Sequence, residues 1–416
     1  MLRLPTKQFK FQYITNFSYL YRQLTPRLFT TSSQLKMQIP SKQAAHKLTL
    51  IPGPIEFSDE VLDAMATPSQ GHTSPEFVKT FSSVLKNLRK VFKSEDPNAQ
   101  AYVLSGSGTL GWDITGANLV TPGDKVLVLS TGFFSDGFAD ALKIYGADVD
   151  VLTADLGDVV PLAKIEEQLK KENYTAITIT HVDTSTSVVS DVKAISQVVK
   201  KISPETLIVV DGVCSIAVED LEFDKWGIDY ALSASQKAIG VPAGLSISFA
   251  SGRAIEKAVA RKESVYFASL KRWTPIMKAY ESGSGAYFAT PAVQTVTALK
   301  VSLDQILSKS LDERFAKHAE VSTKFKTHLE GLGLKIVPVN HDVAAHGLSA
   351  VYFPEGVNGG EFISSLAQKG FVVAGGIHKA IVGKYFRVGH MGYSVEAGHI
   401  DLLTKAIEES IIELRK

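Results

Sequence analysis

Short apolar runs alternate with amphipathic stretches along most of the chain, and turn formers bound the runs. Seven runs read as strands, at 101–104, 125–130, 148–152, 175–180, 207–211, 230–233 and 245–250. They are largely apolar rather than alternating, as strands covered on both faces are. Helical spacing lies between most of them, for example at 161–171 and 192–202. Ahead of the first strand, residues 75–92 place Phe77, Phe81, Val84, Leu85, Leu88 and Phe92 at helical intervals. This alternation predicts an α/β fold, a large domain with a mainly parallel sheet flanked by helices. The close spacing of the last strands admits an antiparallel member.

From about Pro291 the pattern changes. One long helix is expected over 292–329, stopped by Gly331. Short strands follow near 334–337, 348–353 and 385–388, then a C-terminal helix over 397–414. This part reads as a smaller C-terminal α+β domain. The expected division is a leader at 1–36, an extended arm at 37–60, a large domain at 61–295 and a small domain at 296–416. Within the arm, Leu50-Ile51-Pro52-Gly53-Pro54 is rigid and extended, because proline fixes φ and biases its predecessor away from helix.

Composition narrows the function. The 416 residues are 45% hydrophobic, enough for a large core. A net charge of +1 implies no basic surface for nucleic acid. No apolar stretch approaches the ~20 residues that span a bilayer. The one cysteine, Cys214, makes no intramolecular disulfide and no multi-cysteine metal site. The 10 histidines show no zinc-ligand spacing, so no metal is expected.

Charge is uneven, however. The first acidic residue is Glu56, and eight Lys and Arg precede it among many Ser and Thr. An Arg-rich, Ser-rich, acid-free leader has the signature of a mitochondrial transit peptide, with a processing region near 27–32. The expected location is the matrix; the alternative is an ordinary basic tail. Initiation at Met37 would give a second pool without the leader.

The candidate chemistry sits at strand ends. Asp211 closes the run 207–211, and Lys237 closes the run 228–237. A carboxylate and an ammonium at neighbouring strand ends are costly to bury. Pyridoxal phosphate (PLP) asks for both: a lysine for the aldehyde and an aspartate for the pyridinium nitrogen. Either residue alone is commonplace in α/β proteins. In open parallel sheets, ligands bind at the carboxyl ends of the strands. There, Ser105-Gly106-Ser107-Gly108-Thr109 precedes a helix and suits a phosphate, although such turns also occur without ligands. Phe134 offers a ring for stacking or is plain core. The hydroxyls of Thr180-His181-Val182-Asp183-Thr184-Ser185-Thr186 suit a phenolic oxygen, or form an N-cap cluster before Asp191.

Eight segments in order carry a family resemblance. They are the arm segment 50–54, Gly71-His72-Thr73-Ser74-Pro75-Glu76-Phe77, 105–109, 180–183, Val210-Asp211-Gly212-Val213, Ser235-Gln236-Lys237-Ala238, Ala286-Tyr287-Phe288-Ala289-Thr290-Pro291 and Phe386-Arg387-Val388-Gly389. From about residue 48 onward the chain resembles the class V aminotransferases of PLP fold type I, most nearly their fungal alanine–glyoxylate branch. The resemblance implies Lys237 as the Schiff-base lysine and Asp211 as the partner of the ring nitrogen. It implies Ser107, Gly108, Thr109 and Gln236 at the phosphate, Phe134 as the stacking ring where relatives often have tryptophan, and Thr184 near the ring hydroxyl. Thr109 stands where some animal members have histidine. Tyr287 and Thr290 resemble residues that reach the phosphate of a neighbouring subunit, which implies a homodimer with shared sites; the plain reading is core and turn. Arg387 resembles the clamp for the substrate carboxylate, and Gly53 a backbone contact near it. The implied reaction is ping-pong transamination of alanine with glyoxylate, giving pyruvate and glycine.

Other readings stay open. Serine is an alternative donor. Cysteine desulfuration on the same fold would require Cys214 as nucleophile. A non-catalytic protein that kept the fold is a third reading, against which Lys237, Asp211 and Arg387 together argue.

Overall fold

The computed structural model describes residues 41–415. The expected leader 1–36 and Met37 lie outside the described residues, as does the start of the arm.

Seven strands form the central sheet: β1 (Gln100–Gly106), β2 (Lys125–Ser130), β3 (Asp148–Thr153), β4 (Ala176–Thr180), β5 (Leu207–Asp211), β6 (Tyr230–Ala234) and β7 (Gly244–Ala250). Their order is β1-β7-β6-β5-β4-β2-β3. β7 runs antiparallel to both β1 and β6, and the other pairings are parallel. The antiparallel member is therefore the last strand, inserted between the first and the sixth. Every residue of β4, β5 and β6 is buried, which accounts for their largely apolar runs. β3 lies at an edge, and none of its residues is fully buried.

The covering helices include α1 (Pro75–Val91), α2 (Gly108–Leu119), α3 (Phe133–Ile144), α4 (Leu162–Lys171) and α5 (Val192–Ile202). α1 starts where Ser74 accepts from the Phe77 N–H at 3.3 Å and Pro75 occupies the first turn. It buries Phe77, Phe81, Val84, Leu85 and Leu88, the stripe its spacing predicts.

One long helix at 292–329 is replaced by two, α6 (Val293–Ile306) and α7 (Leu311–Gly331). Ser310 begins the second: its hydroxyl accepts from the Glu313 N–H at 3.1 Å, and the Glu313 carboxylate accepts from the Ser310 N–H at 3.3 Å. This reciprocal cap outweighs continuation through Leu307. α6 buries Val296, Leu299 and Leu303 in the core around the central sheet. α7 buries Phe325 and Leu329 in a second apolar cluster with Phe362, Phe386, Leu403 and Ile407.

The second cluster lies against a three-stranded antiparallel sheet of β8 (Leu348–Tyr352), β9 (Ala374–Gly375) and β10 (Tyr385–Gly389), ordered β8-β10-β9. Residues 334–337 form no strand. Ile336 makes a single bridge to Val351, Pro338 has no N–H to donate, and the Val339 N–H turns to Gly157. The C-terminal helix runs over His399–Leu414, after a left-handed Gly398. The arm is stitched to this cluster, for Leu48–Thr49 pairs in parallel with Phe371–Val372. Among the described residues, no helix is long and apolar enough to cross a membrane, and no three His, Cys, Asp or Glu are placed to hold a metal.

Candidate active site

The carboxyl ends of β1, β4, β5 and β6 deliver their following residues to one cavity of about 150 Å³. Asp211 and Lys237 both line it, from the ends of β5 and just beyond β6. Ser107, Gly108 and Thr109 enter from the start of α2, and Phe134, Thr184 and Gln236 complete the predicted set. Thus eight of the twelve sequence-predicted site residues meet in one place, and Gly53 touches the lysine from outside the lining.

Asp211 is buried, and burial pushes its carboxyl up to about 6. Two donors oppose that rise. The Val213 N–H lies 3.0 Å from Oδ1, and the Trp112 indole N–H lies 2.8 Å from Oδ2. The charge of Asp183 raises it further, and Lys237 lowers it. Lys237 donates from Nζ to the carbonyl of Pro52 at 2.5 Å. Gly53 follows with φ +113, where a side chain is strained. A Cβ there would lie 2.4 Å from Lys237 Cδ and 2.8 Å from Nζ.

At the other end, Ser107 begins α2 without a side-chain cap, leaving helix N–H groups free. Its hydroxyl lies 2.9 Å from that of Thr109. A helix start with free donors and two hydroxyls is an anion cradle. The cavity therefore joins an anion site to a buried carboxylate with an amine beside it, a donor set suited to a ring that carries both an anionic group and a basic nitrogen.

Arg387 is buried in β10 and stands apart from the cavity lining. Its Nε donates to the Gly375 carbonyl at 2.9 Å and Nη1 to that of Thr184 at 3.4 Å. Burial lowers its pKa. Among the described residues it makes no ion pair; its charge faces carbonyls, with Tyr385, Cys214 and Asp183 beyond them. Tyr287 and Thr290 are not brought to this cavity. Tyr287 is 64% exposed, its ring 5.1 Å from that of His72, and Thr290 is exposed.

Two residues here, Trp112 and Asp183, carry roles that the sequence pattern did not mark. Trp112 lines the cavity and bonds Asp211; its spacing of four from Gly108, one helical turn, was the available signal. Asp183 is buried and accepts from the N–H groups of Phe134 and Ser135 at 3.0 and 3.1 Å, so it caps α3 rather than serving as part of a hydroxyl run. Cys214 lines the cavity, but burial pushes its thiol up to about 11, which disfavours a nucleophilic role. A larger cavity of about 750 Å³, lined by Gln305, Lys309, Arg314 and Tyr393, mixes charges of both signs and does not contain the Asp211–Lys237 pair.

Comparison with known proteins agrees with this geometry. The family described as "Aminotransferase class-V" matches residues 56–397. Alanine–glyoxylate aminotransferase 1 of Saccharomyces cerevisiae is 53% identical over 355 residues, 82% of this chain and 91% of that protein. Serine–glyoxylate aminotransferase of Arabidopsis thaliana is 31% identical over 346 residues, 82% of this chain and 84% of that protein. The crystal structure of an alanine–glyoxylate aminotransferase from Nostoc sp. superimposes with a TM-score of 0.81 at 29% identity, covering 92% of this chain and all of that one.

Proposed function

The chain belongs to the class V aminotransferases, and from that premise we propose that it transfers the amino group of alanine to glyoxylate, giving pyruvate and glycine, with PLP in the Asp211–Lys237 cavity. The observation that carries this reading is a buried carboxylate and a half-buried lysine in one cavity with an uncapped helix start.

These residues fit the cofactor. Ser107, Gly108, Thr109 and Gln236 would hold its phosphate, Phe134 would cover a ring face, and Thr184 would stand near the ring hydroxyl. PLP supplies an aldehyde for the amino group and a ring that accepts electrons. Asp211 holds a proton at the ring nitrogen. Lys237 moves the proton of the substrate α-carbon, its amine held beforehand by the Pro52 carbonyl. Arg387 orients the substrate carboxylate, which would supply the anionic partner its guanidinium lacks.

The test is the visible absorbance of the purified protein after PLP is added. The expected band bleaches with alanine and returns with glyoxylate. A band that ignores alanine and responds to serine would change the donor, the second reading that the Arabidopsis relative supports. Absence of any band would reject the cofactor.

Tyr287 and Thr290, exposed and away from this cavity, support a homodimer in which each subunit completes its neighbour's phosphate site. Mixing Lys237→Ala chains with Tyr287→Ala chains tests this through the activity of the mixed dimer. The acid-free leader supports delivery to the mitochondrial matrix, with Met37 as the start of a second pool. Residues 1–36 fused to a fluorescent protein would report it.

A further inference from the structure

We propose that Trp112 is a positioning residue of this site: its indole N–H fixes the orientation and the charge of the Asp211 carboxylate. The inference rests on the cofactor reading for its purpose, but the contact stands without it.

The indole nitrogen lies 2.8 Å from Asp211 Oδ2, while the Val213 N–H holds Oδ1 at 3.0 Å. Each oxygen has one donor, so the plane of the carboxylate is set. Of the two donors only Trp112 is a side chain. An indole N–H can donate and never accept, whatever the pH. It therefore favours the ionised carboxylate and discriminates against the acid.

The surroundings are built to admit the ring. Trp112 stacks on Phe138 at 5.4 Å with the planes 13° apart, and meets Phe134 edge-on at 6.5 Å. Gly137, inside α3, faces it; a Cβ there would approach the indole to 3.2 Å. Gly111, inside α2, lets that helix close on β6, where a Cβ would lie 2.7 Å from Leu232 Cβ. Glycine is a poor helix former, and here its use brings the indole to the carboxylate. α2 thus carries both ends of the site, the anion cradle in its first turn and the Asp211 donor one turn later.

Several titratable groups surround Asp211. Asp183 approaches from the short strand Val182–Asp183 after β4, Lys237 from just beyond β6, and the Cys214 thiol from the turn after β5. His181 donates its backbone N–H to the Asp211 carbonyl. Burial, then Asp183, push Asp211 toward the acid; Trp112, Val213 and Lys237 push it back. Because the folded value is raised to about 6, ionising Asp211 lowers stability as the pH climbs through that value. Without the indole donor that loss grows and moves to higher pH.

The test compares the full chain with Trp112→Phe, which keeps an aromatic ring and removes the donor. Without PLP, the thermal midpoint is followed from pH 5 to pH 8. The expected deficit of the variant is small at pH 5 and larger at pH 8. PLP is then titrated and followed by its visible absorbance, with about ten- to hundredfold weaker binding expected near pH 7.5. A deficit equal at every pH, with unchanged PLP affinity, would reduce Trp112 to packing and overturn the proposal. If wild type binds no PLP, the cofactor reading fails, while the PLP-free comparison still decides the role of Trp112. If the variant does not fold, ¹⁵N-indole signals of the wild type decide instead: the Trp112 resonance should titrate with Asp211, and a pH-independent signal would sink the idea.

Discussion

The Lys237 amine lies 2.5 Å from the carbonyl oxygen of Pro52, 185 residues earlier in the chain. The lysine at the end of the central sheet is thus held by the arm, and the arm can approach because the next residue has no side chain.

Gly53→Ala should therefore damage the lysine's placement more than the fold. The added methyl meets the flexible Lys237 side chain, and the positive φ adds local strain. The expected result is a loss of about 10²-fold in kcat, since small misplacement of a reacting group costs that much. The thermal midpoint should fall by only a few degrees. An unchanged kcat would show that the arm does not govern the lysine.

Lys237→Ala should abolish turnover while leaving the protein folded, because the side chain makes a single hydrogen bond to Pro52. Circular dichroism and the alanine–glyoxylate assay together check it. Substantial residual transamination would remove Lys237 from the centre of the mechanism.

Arg387→Ala should raise KM for alanine and for glyoxylate alike, as both carry a carboxylate. A lost charge-assisted hydrogen bond is worth about 1.5–3 kcal/mol, or roughly ten- to hundredfold. Arg387→Lys should not restore affinity, because a point charge does not replace a planar fork. Steady-state kinetics on both substrates would decide, and an unchanged KM for alanine would place the carboxylate elsewhere.

A further outcome concerns pH and stability. Glu219 is buried and accepts from the His346 N–H at 2.6 Å, with the His346 ring at 2.7 Å. Burial alone would raise its carboxyl, yet the bonds to His346 outweigh it and hold the value below the ordinary range. A depressed carboxyl stabilises above its unfolded value, and that contribution fades as pH falls through the folded one. His346→Ala should cost about 1–3 kcal/mol at pH 7, and less near pH 4. Urea unfolding at both values measures the difference, and an equal cost at both would count against the pair.

Much of this fold is written locally. β2 and β5 fall where their apolar runs predict, because strands covered on both faces need no partner information to be seen. Asp211 and Lys237 were legible for the opposite reason: an ionisable residue closing an apolar run is out of place without chemistry to explain it. The break between α6 and α7 was also written, as Ser310 followed three residues later by Glu313, but apolar spacing on both sides concealed it. Trp112 and Asp183 were not legible as site residues. A tryptophan in a helix reads as core, and the groups Asp183 caps lie 48 and 49 residues earlier in the chain. Their roles exist only once the sheet has brought separate strand ends together.

The pairing of Leu48–Thr49 with Phe371–Val372 also sets an order of assembly. Closing so long a loop carries an entropic cost that later contacts must offset. The strand it pairs with does not exist until nearly all the chain has been made. During synthesis the central sheet can form while the arm has no strand to pair with. The arm that carries the Pro52 carbonyl therefore gains its pairing only once Phe371–Val372 is made, and a chain cut short before Phe371 would lack that support for the lysine's anchor.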